Sequence, residues 1–154
     1  DRGGQAAEQT PVYWTAQRLG TGERFARWIK PPAPLQASIL GHLELTAEHF
    51  FNASSLMEVR SAWEAFSRPS DILAVFNTST ARLLAHQTNW AKPCLVLKSV
   101  DFNSERRYGT LDELVAGEKL MIAAARLPGR AGQRLAKLVA LIEHLRALSR
   151  CEVS

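Results

Sequence analysis

The chain has 154 residues, 46% of them hydrophobic and 22% charged, and a formal net charge of +4. That is the size and balance of one soluble globular domain, and it excludes wholesale disorder, collagen-like repeats and a disulfide scaffold. A charge this mild permits a polyanionic partner without demanding one.

Residues 1–11 are small and polar and read as a tail or linker remnant, leaving 12–154 as a single domain. VYWTAQRL, from Val12 to Leu19, mixes β-branched and aromatic residues and predicts a strand. After the Gly20-Thr21-Gly22 turn, Phe25, Trp28 and Ile29 share one face of a predicted helix that Pro31 and Pro32 stop. Alternation around Leu43 and Leu45 predicts a short strand. Ser55 and Glu58 fit a capping box, and Leu56, Val59, Trp63 and Phe66 recur at helical spacing until Pro69.

DILAVF, from Asp71 to Phe76, is an apolar run suited to a buried parallel strand, with cap residues Asn77 to Thr80 opening a helix behind it. CLVLKSV, from Cys94 to Val100, reads as a second buried strand. Thr110 and Glu113 form another capping box. A last helix runs from about Ala131 to Leu148, with Leu135, Leu138, Ile142 and Leu145 as its core stripe and Val139 broadening it. Strands alternating with helices predict a three-layered α/β domain, its sheet mostly parallel with about four or five strands, ending in a long C-terminal helix.

Open parallel sheets take their ligands at the carboxyl ends of strands. The first such end presents Asn77, Thr78 and Ser79 beside helix N–H groups, and the same side chains also serve as plain caps. The second is the loop KSVDFNSERRYGT. It offers Lys98, Arg106, Arg107 and Tyr108 as donors, Gly109 for close backbone approach, and Asp101 as the one carboxylate near the strand end that could accept a proton. The turn holding Arg18 and Arg24 lacks both the P-loop and the G-x-G-x-x-G pattern.

The four histidines lie in no metal-binding spacing, so no metal site is expected. Cys94 and Cys151 form no C-x-x-C pair and predict reduced thiols in a cytoplasmic protein. No apolar run reaches the roughly 20 residues that span a bilayer, and no signal-peptide layout opens the chain. Because Asp1 stands where an initiator Met would, a processed or excised chain is expected.

The charge is concentrated. From Arg126 to Arg150 six basic residues face one acid, Glu143, a local balance of +5. Arg130, Arg134 and Lys137 fall at i, i+4 and i+7 and form one ridge, expected opposite the leucine stripe. The ridge suits either phosphate contacts, with tRNA or another nucleic acid, or a solvated helix face.

Three stretches together resemble the DTW-domain family, which is related to SPOUT methyltransferase-like folds. They are TGERFARWI at 21–29, DILAVFNTSTARLL at 71–84 and YGTLDELVA at 108–116. Thr110, Leu111 and Asp112 match the family's Thr-Leu-Glu, whereas Asn77 to Thr80 stand where its Asp-x-Thr-Trp signature would be, without the Asp or the Trp. The resemblance implies S-adenosylmethionine as cofactor and transfer of an aminocarboxypropyl group to uridine in tRNA. It implies a cofactor site at Asn77, Thr78, Ser79, Lys98, Tyr108, Gly109 and Thr110. Arg18, Arg24, Arg106, Arg107, Arg130, Arg134 and Lys137 would then hold RNA, with Asp101 as base. The missing signature leaves a second reading open, a non-catalytic α/β interaction module excised from a larger protein.

Overall fold

A computed structural model describes residues 11–88, 93–100 and 108–152. Its first unit is a hairpin. Strands β1 (Tyr13–Gln17) and β2 (Arg24–Trp28) pair antiparallel, Ala16 opposite Phe25 and Tyr13 opposite Trp28. The helix expected over Phe25, Trp28 and Ile29 is therefore a strand. Phe25 and Ile29 lie four residues apart, a spacing that puts them on one face of a helix or of a strand alike. The turn decides between the two: Gly22, at φ 76°, donates its N–H to the Arg18 carbonyl at 2.8 Å and brings β2 back onto β1. Tyr13 and Trp28 then stack across the strands with ring centroids 3.8 Å apart.

The strand expected around Leu43 is a helix, α1 (Ala37–Leu43), which Glu44 ends in the left-handed region at φ 56°. Ile39, Leu40 and Leu43 follow the helical period, which outweighs the local alternation. Helix α2 (Leu56–Phe66) opens on its capping box. The Glu58 N–H donates to Ser55 Oγ at 3.2 Å, and the Ser55 N–H donates to Glu58 Oε2 at 2.7 Å.

Strand β3 (Leu73–Val75), helix α3 (Thr78–Thr88) and strand β4 (Cys94–Val96) follow, and β3 pairs parallel with β4. Both strands are shorter than the apolar runs that announce them. The second run turns at Leu97–Ser99 into a 3₁₀ segment that buries Leu97. Helices α4 (Leu111–Gly117) and α5 (Gly129–Glu152) complete the chain.

The architecture is mixed α/β with a long C-terminal helix. The three-layered arrangement on one mostly parallel sheet, expected from the alternation of elements, is not found among the described residues. Among the described residues the four strands make two separate two-stranded sheets, one antiparallel and one parallel. A hairpin needs no crossover, so β1 and β2 satisfy each other locally and do not join the second sheet.

Two apolar clusters hold the molecule together. Trp14, Phe25, Ile29, Val59, Trp63 and Leu84 join the hairpin to α2 and α3. Phe76, Leu97, Leu111, Leu114, Val115 and Leu141 join the carboxyl ends of the parallel strands to α4 and α5. Helix α5 packs against β1, α4 and α1 and so spans both. No helix among the described residues is long and apolar enough to cross a membrane.

Candidate functional site: a cationic cleft at the parallel strand ends

Beyond the carboxyl ends of β3 and β4 lies a cleft of about 340 Å³. Phe76 and Asn77 reach it from the end of β3, and Lys98 from the 3₁₀ turn after β4. Gly109, Thr110, Leu111 and Asp112 supply the wall at the start of α4. The first three turns of α5 add Arg130, Gln133, Arg134 and Lys137, and Glu44 closes the rim. Four cationic side chains thus converge with two carboxylates.

Both carboxylates are already engaged. Lys137 Nζ donates to Asp112 Oδ1 at 2.6 Å, and Gln133 Nε2 donates to Glu44 Oε2 at 2.8 Å. The bond from Lys137 holds the Asp112 carboxyl below the usual carboxylate range, and the fields of Arg134 and Arg130 add to this. Arg130 Nη1 lies 3.4 Å from the His42 ring. Among the described residues, the side chains of Lys98 and Arg134 make no hydrogen bond or close ion pair. Two free, exposed cations therefore face a concave surface, an arrangement that attracts a carboxylate or a phosphate.

Asn77 is a cap as well as a lining residue. Its Oδ1 accepts from the Thr80 N–H at 3.0 Å, from Thr80 Oγ1 at 2.8 Å and from Ser79 Oγ at 2.7 Å. That places Thr78 and Ser79 on the first turn of α3, outside the cleft lining. Thr110 caps α4: its Oγ1 accepts the Glu113 N–H at 3.2 Å, while Glu113 Oε2 takes the N–H of Gly109 at 2.8 Å. Tyr108 turns away from the cleft; its hydroxyl donates to Glu118 Oε1 at 2.7 Å and its ring packs on the α4–α5 core.

The basic residues expected to hold RNA are divided. Arg130, Arg134 and Lys137 share the cleft. Arg18 does not: its side chain is only 12% exposed, its Nη1 binds both oxygens of Asp71 at 2.9 and 2.7 Å, and its Nη2 donates to the Phe66 carbonyl. Arg24 is exposed on β2, away from the cleft. Asp101, Arg106 and Arg107 lie outside the described residues.

The ridge itself is placed differently from expectation. At about 100° per residue, Arg130, Arg134, Lys137 and Leu141 fall on one helical face. Leu141 has no exposed surface at all. The ridge is therefore the outer end of a core-facing stripe, adjacent to the leucines and not opposite them. Sequence reasoning missed Leu141, and also Glu44 and Gln133. Gln133 carried a usable signal, since it stands three residues after Arg130 on the same face. Glu44 carried none, because only the packing of α1 on α5 brings it there.

Comparison of the chain with protein-family models, with curated proteins and with solved structures gives no match.

Proposed function

We propose that this chain is an S-adenosylmethionine-binding domain that modifies RNA, of the tRNA-uridine aminocarboxypropyltransferase type that the DTW-domain resemblance implies. The observation that carries the reading is the convergence of Asn77, Lys98, Gly109 and Thr110 with Arg130, Arg134 and Lys137 in one cleft beyond parallel strand ends. Lys98 is suited to a cofactor carboxylate, and the α5 cations are suited to the phosphates of an RNA backbone. On this reading the protein works in the cytoplasm, where its RNA substrate is. The transfer needs a uridine nitrogen to give up a proton. Asp101 is the carboxylate assigned to that step from the sequence.

The second reading, a non-catalytic interaction module, draws support from the two committed carboxylates of the cleft. Asp112 is held ionised by Lys137, and Glu44 is bonded to Gln133, so neither is free to act as a base.

Thermal denaturation with S-adenosylmethionine separates the two. A ligand present at about 100 times its Kd raises stability by about 2.7 kcal/mol, which a melting curve resolves. An upward shift that Lys98→Ala abolishes supports the cofactor site; an unmoved curve at millimolar ligand overturns it. In parallel, Arg130→Ala with Arg134→Ala is expected to weaken tRNA binding and to reduce the slope of log affinity against log salt by about 2. Unchanged tRNA affinity would make the ridge a solvated face.

A further inference from the structure

The cationic cleft continues into a second cavity. Phe76, Leu111 and Arg134 line both, and the second, of about 620 Å³, follows the seam between the two apolar cores. Trp14, Trp63 and Leu84 wall it on the hairpin side, and Leu135, Leu138 and Ile142 wall it on α5. Its volume lies within the range of roughly 300–1,000 Å³ usual for small-molecule sites.

The helical register explains the continuity. On α5 the apolar wall is centred about a third of a turn from the basic ridge, and Arg134 sits on the ridge at the edge nearer that wall. A ligand in the groove therefore has a free guanidinium at the border of its site.

One polar side chain indicates what the groove takes. Gln87 is 6% exposed and lines the cavity. Its Oε1 accepts from Arg60 Nη2 at 2.7 Å, while its amide nitrogen donates no hydrogen bond among the described residues. The amide nitrogen is not sealed off, so it is open to an acceptor on a ligand in the cavity. An alkyl chain would leave the Gln87 amide unpaired. A flat heterocycle bearing an acceptor on its edge would take the Gln87 N–H while its faces pack on the aliphatic wall.

We propose that groove and cleft form one bipartite site for a nucleoside 5′-phosphate, free or as one unit of an RNA strand. The base occupies the groove, and the phosphate lies on Arg134. The site needs no cofactor, so it stands or falls separately from the S-adenosylmethionine reading.

Calorimetric titration of the chain without S-adenosylmethionine tests it, with AMP, UMP, adenosine and inorganic phosphate as probes. A mononucleotide is expected to bind at least about tenfold tighter than either half, and to compete with both. Arg134→Gln should weaken AMP and phosphate about tenfold and leave adenosine unchanged. Gln87→Leu should weaken AMP and adenosine and leave phosphate unchanged. Val139→Trp, which fills the groove from its wall, gives the same pattern if Gln87→Leu fails to fold. The trinucleotide UpUpU identifies the source: tighter binding than UMP points to a strand, and equal or weaker binding to a free nucleotide. Adenosine and phosphate binding without competition from AMP would overturn the proposal. So would an AMP affinity that Arg134→Gln leaves unchanged, or no AMP binding at millimolar concentration.

Discussion

Arg18 illustrates how a residue that looks free in sequence is consumed by structure. Its guanidinium clamps Asp71, caps the end of α2 through the Phe66 carbonyl, and lies 4.8 Å from the centre of the Phe66 ring. It thereby ties the hairpin turn to the entry of β3. The Asp71 carboxyl is held below its ordinary 3.8, first by the N–H of Arg68 at 2.7 Å and then by Arg18. A lowered carboxyl pKa contributes stability that is present above the unfolded value and is lost as pH falls through the folded one. Asp71→Asn is therefore expected to cost about 2 kcal/mol at pH 7 in urea denaturation. The difference from the parent chain should shrink on acidification below about pH 4. A difference that stays constant to pH 2 would show that the carboxylate charge is not what binds Arg18. The sequence placed Arg18 beside a turn, but its partner lies 53 residues away, and no local pattern encodes that pairing.

Elements whose signals are local were legible. The Ser55–Glu58 and Thr110–Glu113 boxes each specify a helix start within four residues, because cap and N3 side chain satisfy N–H groups that the helix itself leaves open. The hairpin was not legible, since its second strand carries a spacing compatible with either state. Helix α5 was expected from about Ala131 and starts two residues earlier. The helix begins at Gly129, where φ is 75°, and Gly132 sits under the preceding turn. A Cβ at Gly132 would stand 2.0 Å from the Leu127 carbonyl oxygen. Gly132→Ala is accordingly expected to lower stability by about 3 kcal/mol, measured by thermal or urea unfolding. Since this packing seats the first turns of α5, the variant should also weaken phosphate binding at Arg134. A neutral Gly132→Ala would mean that the 127–132 turn yields freely.

Across the whole molecule, α5 is the piece on which everything else is referenced. Its Leu141 is fully buried against α4 and the parallel strand ends, one turn of stripe beyond Lys137. Leu141→Ala should cost about 2–5 kcal/mol, the range for emptying a packed leucine site. Val139→Ala, on the half-buried wall of the groove, should cost less. Equal losses at the two positions in chemical denaturation would contradict a core organised around Leu141. The candidate cleft was half legible for the same geometric reason. Asn77, Lys98, Thr110 and the α5 ridge follow from strand ends, a capping box and a helical period. Glu44 and the walls of the groove come from elements far apart in the chain.

The sequence by itself determined the mixed α/β character, the helix caps, the apolar runs at β3 and β4, and the concentration of positive charge on the last helix. Each of these depends on neighbours within a turn or a strand, so spacing alone carries it. Only the tertiary structure decided that the four described strands form two separate sheets, that Arg18 is an internal clamp, and that the basic ridge borders the core. Those outcomes depend on which faces meet, and burial free energy is settled between segments that sequence spacing does not relate.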